Sequence, residues 1–215
     1  MVRLLIKKVI DIEKPGKTAE KILKAARAVF AENGYNGTHV DEIARRAGVN
    51  KATLYYQIGD KDTLYANVIH QVIGNTAQGI AEAVAKVGHP EEKLKAYINF
   101  MAHAVDKNPE LPPIMMREIA SGGATLPKLV VEDIASVVTI LIGILDQGEK
   151  EGVFIQTIPF LIHMMVMGTI LFYKGAVPIK DRQVWLPAEI RSRDKKLKGN
   201  IGDEVARLIL RAVKK

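Results

Sequence analysis

The chain has no cysteine among its 215 residues, which excludes disulfides and any thiolate-held metal. Its five histidines, at 39, 70, 89, 103 and 163, show none of the i, i+4 spacing with Glu that marks a metal site. No Gly-x-Ser-x-Gly elbow occurs, and Gly122-Gly123 runs into Ala-Thr-Leu-Pro without the Lys-Ser/Thr of a phosphate loop. Acidic pairs such as Glu91-Glu92 and Glu132-Asp133 fall at helix starts, where they complement the macrodipole. Enzyme chemistry therefore has no candidate machinery, and no cofactor is expected. Period-2 alternation, internal repeats and low-complexity runs are also missing, which disfavours sheet and solenoid architectures. The opening MVRLLIKKVIDIEKPG has an apolar run broken by Lys7, Lys8 and Asp11 and no small-residue cleavage pattern. A secretion signal is not expected, and a cytoplasmic protein is.

What the chain does have is positive charge. Its formal net charge is +7 and its pI is about 9.5, a balance that favours polyanionic partners. Residues 1–72 carry 12 Lys/Arg against 8 Asp/Glu, while the remaining two thirds carry 19 against 16. The excess is denser at the N-terminal end. A second excess, 11 against 5 over residues 180–215, reads as a solvated tail rather than a DNA contact.

Thr38–Leu64, THVDEIARRAGVNKATLYYQIGDKDTL, is the most specific stretch. Thr38 with Asp41 three residues on makes a capping-box pattern, and Val40, Ile43, Ala44 and Ala47 give one apolar face. Gly48 is a stop residue and Asn50 a second N-cap. The helix Lys51–Gln57 has only Ala52 and Leu54 as aliphatic members. Lys51, Thr53, Tyr55, Tyr56 and Gln57 are side chains that reach phosphates and base edges when such a helix lies in a major groove. Two short helices about a glycine turn, with a polar and aromatic second member, read as a helix-turn-helix.

From about Thr18 to Leu64 the chain resembles the DNA-binding domain of TetR-type transcriptional regulators. The matching residues are AARAVFAENGY (Ala25–Tyr35), Thr38, DEIARRAGV (Asp41–Val49), KATLYY (Lys51–Tyr56), Lys61 and Leu64; Ile58 stands where the family has an aromatic. The resemblance implies an all-α fold: an N-terminal three-helix bundle with the helix-turn-helix, then a helical domain for ligand binding and dimerisation. The expected division is an arm at 1–17, a DNA-binding domain at 18–64 and a body at 65–215. Lys51 and Gln57 are expected at base edges with Tyr55 near them, Thr38, Thr53, Tyr56 and Lys61 at phosphates, and Ala52 within the same surface. Arg45 and Arg46 are expected to be solvated. The arm carries Arg3, Lys7, Lys8, Lys14 and Lys17, and two readings stay open: contact with DNA backbone, or packing on its own domain.

The body reads as helical throughout. Asp60 caps a long helix to about Val87; further helices are expected over Glu91–Lys107, a stretch through Met115–Ala120 after a Pro-rich break at 109–113, Pro127–Glu151, Ile158–Lys174 and Gly202–Lys215. Gly175–Gly199 reads as a loop or short helices of open path. Val153–Tyr173 holds 21 residues without a charge, long enough for a membrane span. Gln156, Thr157, Pro159, His163 and Thr169 argue against one, and no membrane partner is expected. Two adjacent helices with wide apolar faces suit a subunit interface across a two-fold axis, with Val138, Leu141, Ile142, Leu145, Leu161, Met165 and Gly168 as candidates.

The resemblance further implies a homodimer on a palindromic double-stranded DNA operator, repression as the default, and release by a small molecule that shifts the fourth helix. Candidate pocket residues are Phe100, Met101, Met115, Met116, Met164, Met167 and Phe172, with His103, Arg117, Glu118, His163 and Tyr173 as polar anchors; Met side chains adapt to awkward apolar shapes. Trp185 caps that pocket or packs the loop. A small hydrophobic or amphipathic effector is expected. The alternative is a constitutive DNA-binding protein with no effector.

Overall fold

The structure is a computed structural model that describes residues 16–182, 189 and 201–215. Among these lie nine helices: α1 (Lys17–Gly37), α2 (Val40–Ala47), α3 (Lys51–Gln57), α4 (Lys61–Ala85), α5 (Pro90–Lys107), α6 (Leu111–Ala120), α7 (Lys128–Lys150), α8 (Pro159–Arg182) and α9 (Ile201–Val213). The described residues contain one isolated antiparallel bridge, Phe154 with Lys214, so the fold is all-α as expected. The arm up to residue 15 and the segment holding Trp185 lie outside the described residues.

α1 breaks at Gly34 (φ 69°) but resumes for one more turn to Gly37. Two expected boundaries move. The Pro-rich break is really the first turn of α6, where Pro112 and Pro113 cost nothing because no intrahelical N–H partner is required there. α8 runs eight residues beyond Lys174, to Arg182, replacing the start of the expected loop.

The chain forms two compact units. One comprises residues up to Val72 together with Pro113–Val131; the other comprises Ile73–Pro112 and Glu132–Lys215. This division does not follow the one expected at Leu64, because a stretch of the body returns to the first unit. In that unit the α1 stripe Ile22, Leu23, Ala26, Val29 and Phe30 is buried together with Ile43, Leu54, Leu64 and Ile114.

In the second unit, α5 buries Leu94, Tyr97, Ile98 and Val105, and it packs against α8 and α9. The α4 glycine at 79 is required by packing: a Cβ there would lie 2.1 Å from the Phe100 ring. After α7, the Val153 and Phe154 amides donate to the Gly148 carbonyl at 2.8 and 3.0 Å, and Ile155 donates to Val213 at 2.8 Å. The chain is thereby turned back before α8 begins.

Candidate nucleic-acid interface

α3 has seven residues, far too few to be stable alone. Two things hold it. The Asn50 side chain accepts the Thr53 amide at 2.7 Å, filling one orphan donor at the helix start. Leu54 and Ile58 are buried and fasten one side of the helix to the core, each contributing roughly 1.5–3 kcal/mol. The other side is left to solvent: Lys51, Ala52, Tyr55, Tyr56 and Gln57 are exposed, and Tyr56 is 85% accessible. A phenol so placed on a short cationic helix is poorly explained by folding and well suited to a groove. Thr53 is half-buried beside them.

The turn before α3 depends on Gly48, left-handed at φ 68° and ψ 33°, whose amide donates toward Ala44 and Arg45. The Val49 amide reaches the Ala44 carbonyl at 3.0 Å, which completes the C-terminal closure of α2.

Charges around the reader are locally matched. Lys51 pairs with Asp41 at 2.9 Å, and that hydrogen bond raises the ammonium pKa. Arg45 pairs with Glu42. Arg46 is not simply solvated: it bridges Glu42 on its own helix and Glu32 on α1, both at 2.7 Å. The hydrogen bond from Arg46 leads in lowering the Glu32 pKa. The pair ties α2 to α1.

Asp60 caps α4 by accepting the Thr63 amide at 2.8 Å, and Lys61 opens the helix. Its ammonium lies 4.5 Å over the Tyr35 ring. The Tyr35 hydroxyl donates to Asp62, and that bond leads the causes pushing its pKa up to about 12.

Thr38 corrects the sequence reading. It is 2% exposed, and its hydroxyl donates to the Gly34 carbonyl at 2.6 Å. It closes α1, so it neither caps α2 nor presents a hydroxyl to phosphate. The cap position belongs to His39, with no side-chain capping bond, and His39 is exposed. Sequence reading missed His39 because the Thr38–Asp41 spacing imitates a capping box one residue too early.

The expected effector residues are drawn from both units: Met115, Met116, Arg117 and Glu118 belong to the first, and the others to the second. Glu118 is spent internally: Tyr65 and Thr125 hydroxyls each donate to its Oε1 at 2.5 Å. His103 is exposed, Met164 is exposed on the outward side of α8, and Phe100 is occupied against Gly79. Met101 is buried, and Met167 and Tyr173 are half-buried. His163 is buried and lies 2.8 Å from the Tyr97 hydroxyl through Nδ1. Burial lowers its pKa, so it is neutral near pH 7. Tyr97 is thus half of a buried polar pair.

The interface candidates also divide. Leu141 and Leu145 are in the chain's own core, because they sit on the inward side of α7. Val138 is half-buried, and Ile142 faces out. On α8, Leu161, Met165 and Gly168 are exposed, and Phe172, one turn on, is 67% exposed. This is an apolar stripe along one side of the helix. Pro159–Ala176 is also the one helix segment among the described residues long and apolar enough to cross a membrane, with 28% of it buried.

Residues 22–68 match the family model of bacterial regulatory proteins, tetR family. Residues 90–176 match the tetracyclin repressor-like C-terminal domain. The HTH-type transcriptional repressor NicS of Pseudomonas putida is 25% identical over 194 residues, covering 82% of this chain and 91% of that protein. The fatty acid metabolism regulator protein of Bacillus subtilis is 29% identical over 153 residues, 70% of this chain and 78% of that one. Among solved structures, HlyIIR, a hemolysin II transcriptional regulator, superposes with a TM-score of 0.63 at 26% identity, covering 93% and 98% of the two chains.

Proposed function

This chain belongs to the tetR family of bacterial regulatory proteins, whose members and relatives are transcriptional regulators rather than enzymes, and on that premise we propose that it is a dimeric repressor of a palindromic operator, released by a small apolar effector. The observation that carries the DNA reading is α3, anchored by Leu54 and Ile58 while Lys51, Tyr55, Tyr56 and Gln57 face solvent. Lys51 and Gln57 read base edges with Tyr55 beside them. Thr53, Tyr56 and Lys61 grip phosphates, which set register rather than sequence.

One such helix covers only a few base pairs. Two readers on a two-fold axis, about 34–36 Å apart, select a palindrome. The exposed α8 stripe Leu161, Met165, Gly168 and Phe172, together with exposed Ile142 of α7, supplies the apolar surface for that pairing. A membrane would cover the same stripe, but the opposite side of α8 (Ile162, Val166 and Ile170) is already buried in protein, as in an interface helix. A DNA-binding role is in keeping with a cytoplasmic location.

For the effector, the buried Tyr97–His163 pair is the favoured polar anchor among Met101 and neighbouring apolar side chains. A relative named for fatty acid metabolism is in keeping with an apolar ligand. The ligand must bind the DNA-incompetent state more tightly, and the coupling is reciprocal.

The test is selection of bound fragments from random duplex DNA, followed by challenge of the complex with hydrophobic compounds. Enrichment of a palindrome and release by one compound class is the expected result. No enrichment overturns the DNA reading. Enrichment with complete insensitivity to such compounds returns the constitutive alternative. Detergent-free sedimentation as a dimer checks the pairing.

A further inference from the structure

The segment Pro113–Val131 lies within the stretch matched to the C-terminal domain, yet it packs with the DNA-binding unit. Two consecutive residues on α6 do the joining. Arg117 donates to the Ala31 carbonyl, and to that of Glu32 at 2.8 Å. These carbonyls lie in the last turn of α1 before its break at Gly34, where acceptors have no helical partner. The Glu32 side chain in turn holds Arg46 of α2.

The neighbouring Glu118 is buried and takes the Tyr65 hydroxyl of α4 at 2.5 Å. The Tyr65 ring sits 4.7 Å from Phe30 and 5.0 Å from Tyr35. Tyr35 carries Lys61 over its face and donates to Asp62. A contact path therefore runs from one carboxylate on α6 to the ammonium that opens α4.

Burying this carboxylate is a poor way to gain stability. Its Oε2 has no hydrogen-bond partner, and its Oε1 is met only by two neutral hydroxyls. A buried polar group with an oxygen left unpaired costs folding energy, and an apolar side chain of similar volume is often as stable or more so. Its fixed hydrogen bond to Tyr65 instead specifies where that ring stands.

We propose that Arg117 and Glu118 are positioning residues of the DNA reader, fixing α1, α2 and the Lys61 end of α4 relative to one another. This rests on the DNA-binding reading above.

The test uses the full-length chain and four variants: Arg117→Ala, Glu118→Gln, Tyr65→Phe, and the double variant Tyr65→Phe/Glu118→Met. The double variant removes the Tyr65–Glu118 pair together and releases only the half-buried Thr125 hydroxyl, which water can reach, so the fold is kept. Operator affinity is measured against salt, with thermal melting and hydrogen exchange over residues 31–36 and 60–65 alongside.

The double variant is expected to melt no lower than the parent. It should nevertheless exchange faster over both segments, bind operator more weakly, and lose up to about two in salt slope, near 0.9 for each of two phosphate contacts across a dimer. Glu118→Gln, which keeps an acceptor for Tyr65, should restore most of the loss. Arg117→Ala should speed exchange over 31–36 first. A double variant with unaltered exchange, affinity and slope overturns the proposal while leaving the DNA reading intact. A double variant whose affinity falls only in step with its melting temperature overturns it too, since the pair would then be merely structural. If the parent chain binds no duplex, the reading beneath fails and this one with it.

Discussion

Lys61→Ala should change the salt dependence of DNA binding more clearly than its affinity at any one salt concentration. Lys61 is the first residue of α4 and half-buried, and its ammonium is steered by the Tyr35 ring 4.5 Å away. As a phosphate contact it releases counterions on binding, with a slope of about 0.9 in log K per log salt. A roughly fourfold rise in salt then costs about 3.5-fold in affinity per contact, and about twelvefold for one contact from each of two readers. The variant should lose about twelvefold less affinity than the parent between about 50 and 200 mM salt. The loss should be equal on operator and random duplex, because phosphates carry no sequence. Fluorescence anisotropy with labelled duplexes across a salt series measures this directly. Removing the cation–π contact itself costs about 0.5–1 kcal/mol of stability, so melting is followed in parallel. Lys61→Arg should keep the parent slope. A Lys61→Ala slope identical to the parent's, or a loss confined to operator DNA, refutes the phosphate assignment.

Lys51→Ala and Gln57→Ala should instead relax preference at individual base positions by roughly 1–3 kcal/mol per lost bidentate contact; binding to a panel of single-base operator variants reads this, and uniform losses count against it. Leu54→Ala removes the main anchor of α3 and should destabilise by about 2–5 kcal/mol, seen as a lower urea midpoint. Met165→Glu puts a charge in the exposed α8 stripe and should shift sedimentation from dimer to monomer; an unchanged dimer moves the interface elsewhere. His163 gives a pH signature. Its pKa is lowered in the folded state by burial, so the folded form binds fewer protons than the unfolded. Its contribution is complete above the ordinary histidine value of about 6.5 and falls below it by up to about 1.4 kcal/mol per pH unit. Urea midpoints from pH 8 to 5 should show that fall, and the double variant Tyr97→Phe/His163→Leu should abolish it.

The reader was legible because its signals are local. Gly48 must be left-handed, Asn50 must cap, and Leu54 must face inward for the remaining side chains of α3 to face out. Each follows from residues within one helical turn. Thr38 failed for the same reason: two residues competed for one cap, and the choice fell to a carbonyl of α1, at Gly34, freed by a kink that spacing does not disclose. The body was read correctly as helices but poorly as surfaces. Leu141 and Ile142 are adjacent and equally apolar, yet one is core and the other faces solvent. Hydropathy does not distinguish them, because it reports that a side chain needs cover and not which neighbour supplies it.

The order of side chains along the chain was enough to determine the helices, their caps and stops, and a cationic, phenol-bearing recognition element, since backbone hydrogen bonds and capping act over three or four residues. Only the folded arrangement decided that α6 joins the DNA-binding unit through Arg117 and Glu118, that Tyr97 and His163 meet across 66 positions of sequence, and which apolar faces remain uncovered. These are contacts between distant residues, chosen by how whole helices pack, and no local pattern encodes them.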